Sequence, residues 1–261
     1  MRALWLAADG PKFEPPSADD FNLPPIFGDV TKPMLLVVLS VVLIAAFFLL
    51  ASRRMKVVPG KFQYLAESIY DFGRNNIARE QIGSKDFMPF VPLILAMFTF
   101  VLVNNIFGLI PILQFPTMSH IGFPVAISVL IVYPLYHGVG IKRHGLGKYL
   151  KKELFPPGAP APIYLLLTPI EIFTKFLMNP ITLAIRVFAA MFAGHLILMV
   201  FTLAGEFLLV HGEGILKGVS VVSWAFAIAM TMLEALIMVI QAYIFALLAA
   251  NYIGRALAED H

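Results

Sequence analysis

Five stretches of the chain are apolar for long enough to cross a bilayer, which takes about 20 residues. They run over 34–52, 88–113, 121–141, 163–203 and 219–252. Pro33 opens the first, and Arg53, Arg54 and Lys56 close it. Pro124 and Pro134 predict bends in the third. The fourth and fifth are longer than a span requires, which predicts tilt. Between the first two spans the pattern changes. Phe62, Leu65, Ile69 and Phe72 recur at helical spacing, while Lys61, Gln63, Glu67, Asp71 and Arg74 fill the other face. This predicts an amphipathic helix over about 61–80 lying in the membrane interface, although a helix facing water carries the same pattern. The expected fold is all-α and integral to the membrane, with about five spans plus one interfacial helix. Residues 1–33 are expected to form an acidic, Pro-rich tail on the outside, extended over 9–33, and 34–261 a single membrane domain. Leu4 to Ala8 is too short an apolar core for a secretory signal.

Lysine and arginine orient the spans. Arg53, Arg54, Lys56, Lys61, Arg74, Arg79 and Lys85 follow the first span. Lys142, Arg143, Lys148, Lys151 and Lys152 follow the third, and Arg255 the fifth. The opposite side holds only Arg2, Lys12, Lys32 and Lys217. An odd number of spans keeps the basic clusters together, with the N-terminus outside and the C-terminus in the cytoplasm.

Composition agrees with this picture and narrows the chemistry. The 261 residues are 59% hydrophobic and 13% charged, against about 25% charged in soluble domains. There is no cysteine, which excludes disulfides, thiolate metal sites and a cysteine nucleophile. The net charge of +3 is not gathered into a basic, aromatic-interleaved patch, so no nucleic-acid partner is expected. No Gly-rich phosphate loop, cofactor motif or metal motif is found.

Ionisable groups inside spans cost about 2.5–3.5 kcal/mol each on insertion scales and mark functional pathways by default. The fourth span carries Glu171, Lys175, Arg186 and His195, and the fifth Glu234 and Gln241. Arg186 is the strongest signal. Roughly 25 Å of helix separates it from Leu203, too far to snorkel, and a guanidinium keeps its charge where a lysine sheds a proton. Its counter-charge is either an acid of this chain, Glu171 or Glu234, or one from outside it. His195 lies nine steps of about 100° further on, hence on the opposite face of the same helix. Antiparallel packing brings His195 and Glu234 to similar depth, where imidazole and carboxylate form a proton-accepting pair. Gln241 follows Glu234 by about two turns, on much the same face. Glu171 and Lys175, at i and i+4, read as a helix-surface pair, with a lining role for an aqueous path as the alternative. Asn104 and Asn105 either hold water near the pair or bond across helices. His120 and His137 fall near span ends, where water reaches.

The runs NNIFGLIP (104–111), PITLAIRVFAAMFAGH (180–195) and EALIMVIQAYIFALLAANY (234–252) resemble subunit a of the membrane sector of rotary F-type ATP synthases. The resemblance covers most of 34–261. It implies a separate first span, a surface helix and a four-helix unit whose last two helices pack against a rotating ring of c subunits. It implies peripheral-stalk (b) subunits, lipid and protons as the other partners, and the inner (plasma) membrane of a bacterium as location. Two offset half-channels, one from each side, are part of that implication. Arg186 matches the family's essential arginine. His195 and Glu234 match a His/Glu pair lining the outer half-channel, whose residue types are exchanged in some members. Gln241 matches the glutamine facing the arginine, and Asn105 and Tyr252 align with polar positions. Thr182 is expected to line the inner path. Many relatives carry asparagine where this chain has Ala190. On this resemblance the chain is expected to be no enzyme by itself but a subunit of the proton-transporting ATP synthase. The competing class is a self-contained secondary transporter or channel in which Arg186 binds an anionic substrate. Such proteins often carry repeated halves, and no repeat is found here.

Overall fold

The computed structural model describes residues 13–53, 55–155 and 163–258. Leu4 to Ala8, the basic residues Arg2, Lys12 and Arg54, and the stretch 156–162 lie outside the described residues. Within them five helical runs are long and apolar enough to cross a membrane: Lys32–Ser52, Met88–Ile106, Gly122–His144, Leu166–His211 and Ile215–Leu257. The protein is an all-α, multi-pass membrane protein.

In chain order, a 3-10 turn (Ala18–Phe21) and a small antiparallel hairpin of β1 (Pro25–Phe27) and β2 (Val30–Thr31) precede α1 (Lys32–Ser52). The tail is thus locally structured rather than extended throughout. Next come α2 (Lys61–Asp71), a π-helical stretch (Phe72–Arg79) and α3 (Glu80–Ile82). The second span is α4 (Val91–Ile106), entered through a 3-10 turn at Met88–Phe90. The third is α5 (Gly122–Val125), a π-helical stretch (Ala126–Val132) and α6 (Tyr133–His144), followed by α7 (Leu146–Leu154). The fourth is α8 (Tyr164–Ile172), a π-helical stretch (Phe173–Met178) and α9 (Asn179–His211), and the fifth is α10 (Ile215–Leu257).

The second span ends at Ile106, short of the expected 113. From Phe107 the chain turns, with Gly108 N–H donating to Asn105 O and Leu109 N–H to Ile106 O, and Pro111 has no N–H with which to continue a helix. The helix α7 was not anticipated. Its Lys148, Lys151 and Lys152 are exposed or half-buried, while Tyr149 is buried. α10, with 43 residues, is roughly 65 Å long, twice the hydrocarbon thickness of about 30 Å.

The core lies between α4 and α10. Val91, Ile94, Met97, Phe98 and Val101 of α4 are buried in one cluster with Met238, Phe245 and Ile253 of α10. Ala242, Ala246, Ala249 and Ala250 are all fully buried, and small residues of this kind let helix backbones approach closely in lipid. The approach is tightest at Gly254, where a Cβ would stand 2.1 Å from the Gln81 carbonyl oxygen. Gly254→Ala therefore pushes α10 off α3, at a cost of about 1–3 kcal/mol. A lowered Tm of the complex in detergent measures it.

The first span buries only Pro33, Leu36 and Ser40. Ser40 is its polar attachment: Asn104 Nδ2 donates to Ser40 Oγ at 2.8 Å and to Phe100 O at 2.8 Å. Interhelical hydrogen bonds in lipid contribute about 0.6 kcal/mol on average and up to about 1.7. Asn104→Ala is expected to loosen α1 by that much, read as a small loss of detergent stability.

The fourth span widens before its long helix. Pro180 cannot donate an N–H, and backbone carbonyls at membrane depth must find partners within the protein. The third span supplies them: Ser128 Oγ donates to Pro180 O at 2.7 Å, and Tyr136 OH to Lys175 O at 3.1 Å.

Candidate functional site

The helices α9 and α10 are joined by a short turn at residues 212–214 and pack along each other more extensively than any other pair. This antiparallel hairpin brings His195 and Glu234 together. His195 Nδ1 stands 3.6 Å from Glu234 Oε1, and both side chains are buried. The distance lies beyond a direct hydrogen bond. Among the described residues, neither Glu234 oxygen nor His195 Nδ1 has a hydrogen-bonding partner. Gly194 faces the same carboxylate: a Cβ there would meet Glu234 Cγ at 3.6 Å and Oε1 at 3.8 Å. The glycine leaves a methyl-sized gap beside the acid.

Other buried polar atoms share this condition. They include Asn105 Nδ2 and Oδ1, Thr117 Oγ1 and Gln241 Oε1. An unsatisfied buried polar group costs roughly 1–3 kcal/mol, and in native proteins such groups are served by water. The two asparagines thus separate. Asn104 Nδ2 bonds across to α1, whereas Asn105 makes no hydrogen bond to protein from either end of its amide.

Arg186 occupies the other face of α9. It is exposed, on a stripe with Thr182, Ile185, Ala189, Ala193 and Ile197. Exposed Met232, Leu233, Leu236, Val239 and Ile240 continue an apolar surface on α10. Among the described residues no carboxylate lies within 4.0 Å of the guanidinium. Neither Glu171 nor Glu234 is its partner. The Tyr252 hydroxyl lies within electrostatic reach of it, and the Tyr252 ring packs on Tyr136 at 5.5 Å.

Towards the C-terminal end of the third span lies a second polar cluster. Lys175 Nζ is 3.1 Å from Glu171 Oε2 and 3.1 Å from Glu153 Oε2, and donates to Glu153 O at 2.8 Å. The i, i+4 pair therefore has a third member, brought by α7. His137 differs from its expected wet setting: it is buried, stacks on Phe176, and its Nδ1 lies 2.8 Å from Tyr149 OH. Burial, reinforced by the nearby Glu153 charge, raises the Tyr149 hydroxyl well above an ordinary phenol. The phenol stays protonated and shares a hydrogen bond with the imidazole.

The family profile described as ATP synthase A chain matches residues 34–254. The chain belongs to that family. It is 47% identical over 266 residues to ATP synthase subunit a of Pseudarthrobacter chlorophenolicus, covering 100% of this chain and 99% of the relative. It is 48% identical to ATP synthase subunit a of Paenarthrobacter aurescens with the same coverage. Against ATP synthase subunit a of Streptomyces lividans it is 40% identical, over 97% of this chain and 91% of the relative. The alignments with the two former relatives include the N-terminal tail, which the family profile leaves out. Two residues near the site carried little sequence signal. Glu153 belongs to a helix that was not anticipated, and Phe21 is a lone aromatic in an acidic turn, buried beside Phe192 and His195.

Proposed function

We propose that the chain is the proton-translocating stator subunit of an F-type ATP synthase, working against a rotating c-ring. One observation carries the reading. A permanent cation, Arg186, stands on an exposed apolar surface with no acid within ion-pair distance among the described residues, while His195, paired with Glu234 of α10, is buried on the opposite face of the same helix. A charge in that place needs a counter-charge from outside the chain, and a carboxylate on a neighbouring helix that moves past supplies one.

Protons arrive from the side bearing the N-terminus, which is the outside, past Asn105 to His195 and Glu234. They pass to the ring carboxylate near Gln241, travel round the ring and leave on the cytoplasmic side past Thr182 and Tyr252. In lipid the ring carboxylate is neutral because desolvation disfavours its charge. Beside Arg186 it ionises, and the fixed positive charge also bars a proton from crossing directly between the two paths. Each charge moved is worth about 2.3 kcal/mol per 100 mV, so several are needed for each ATP. Peripheral-stalk (b) subunits hold the chain against the torque.

The chain has no cysteine, so engineered thiols report contacts without background. Ala189→Cys and Leu236→Cys are expected to form disulfides with cysteines placed beside the ring carboxylate in the assembled complex. Leu130→Cys, exposed on the third span, is expected to form none. Cross-linking from Leu130 but from neither of the other two would refute the assigned ring face.

A further inference from the structure

We infer that Phe21 is a positioning residue for His195, holding its imidazole towards Glu234 and covering the ring on the side where the N-terminal segment packs. The segment around Phe21 is otherwise exposed: Ser17, Ala18, Asp19, Asp20 and Asn22 all face outward. Phe21 alone turns in, to 4% exposure. Its seat has walls from three separate parts of the chain, Leu36 of α1, Phe115 after α4, and α9. The Phe21 ring lies 4.6 Å from Phe192 and 6.2 Å from Phe115. It meets the His195 imidazole at 6.0 Å, with the ring planes 73° apart.

The local backbone is built to present this ring. Ser17 Oγ accepts from Asp19 N–H, and Asp20 Oδ2 accepts from Ser17 N–H at 2.6 Å, closing a capping box around one 3-10 turn. Asn22 N–H then donates to Asp19 O at 2.9 Å. Farther out, Phe13 packs on Phe207 of α9 at 5.6 Å, so the segment is tied down on both sides of Phe21.

The imidazole needs such a neighbour. The terminal torsion of a histidine is broad and only loosely set by the backbone. A hydrogen bond usually fixes the ring, but His195 Nδ1 has none from the protein. The pair distance of 3.6 Å is therefore held by packing, and Phe21 is the aromatic ring in contact with the imidazole. Without it the imidazole is free to turn away from Glu234 and is open to bulk water. The consequence for proton transfer rests on the function proposed above. The covering of His195 does not.

Both parts are separable by experiment on the complete ATP synthase in membranes. Diethyl pyrocarbonate acylates accessible neutral imidazoles, and peptide mass spectrometry reads each histidine separately. Phe21→Ala is expected to raise the rate at His195 by at least about fivefold, as the loss of a local cover should, while exposed His120 keeps its rate. Phe21→Leu, which retains most of the volume, restores most of the protection. Asp20→Ala loosens the turn without altering the seat and gives an intermediate rise confined to His195. A His195 rate within about twofold of wild type in both Phe21→Ala and Asp20→Ala overturns the inference. If Phe21→Ala speeds every histidine alike, Asp20→Ala decides, and no selective rise there overturns it. Proton flow through the membrane sector is measured in parallel. Unimpaired flow in His195→Ala refutes the relay role of the pair, and leaves the covering by Phe21 to be judged on reactivity alone.

Discussion

Membrane vesicles carrying Arg186→Ala in an otherwise intact ATP synthase are expected to make no ATP from an imposed proton gradient, while passive proton conduction persists or rises. The expectation follows from the exposure of Arg186 on an apolar stripe and from the absence, among the described residues, of any acid within ion-pair distance. A ring carboxylate that reaches the stator without this cation is a lone anion at membrane depth, which costs about 2.5–3.5 kcal/mol on insertion scales. At 1.36 kcal/mol per tenfold in rate, that slows each ionisation step roughly a hundredfold or more. The loss of coupling is separate from this slowing. It comes from removing the fixed charge that keeps the two proton paths apart. Arg186→Lys is expected to rescue poorly, because an ammonium is a point donor that sheds its proton in a dry site, whereas the planar guanidinium does not. The two readouts are ATP synthesis and pH-indicator quenching in the same vesicles. Coupled synthesis preserved in Arg186→Ala would overturn the role assigned to this residue. Because Arg186 makes no salt bridge among the described residues, the variant is also expected to assemble in normal amounts, and immunoblots of the complex check this.

What the sequence disclosed follows from which forces are local. Spans are set by runs of apolar residues, and those are written in the chain. Opposite placement of Arg186 and His195 on one helix needs only helical periodicity, and the exposure of one and burial of the other agree with it. The limits come from interactions between distant segments. The Tyr136 hydroxyl donates to Lys175 O within the π-helical stretch Phe173–Met178, and the Ser128 hydroxyl to Pro180 O just beyond it, both from another span, and no local pattern announces those partners. The early end of the second span depends on turns around Gly108 and Pro111, where the residues still read as apolar. The Lys175 cluster includes Glu153 because α7 folds back beside α8, and a short amphipathic helix after a basic loop is easily read as loop alone. The inward turn of Phe21 is the extreme case. Its neighbours are polar and acidic, and its seat is assembled from three other parts of the chain.

Exchanging the pair, His195→Glu together with Glu234→His, is expected to restore much of the proton flow that either single substitution removes. Each single change leaves two like groups 3.6 Å apart in place of an acid and a base. Two carboxylates so close cannot both ionise, and two imidazoles cannot both be charged. Breaking a buried acid/base pair typically costs about 3–5 kcal/mol, which corresponds to a loss of roughly two to four powers of ten if it falls on the transfer step. The exchange keeps one acid and one base at the same depth on the same two helices. Space is limited but present: Gly194 leaves a methyl-sized gap beside Glu234, with the nearest glutamate carbon 3.6 Å from where a Cβ would be, into which the ring at position 234 can lean. Gly194→Ala should remove that allowance, leaving the native pair nearly intact but abolishing rescue in the exchanged one. Proton flow through the membrane sector in the four variants forms a double-mutant cycle, with an expected coupling of at least about 1.5 kcal/mol, in the middle of the range for pairs in contact. Additive losses, with the exchanged protein as slow as the two single changes multiplied together, would mean that His195 and Glu234 act apart despite their proximity.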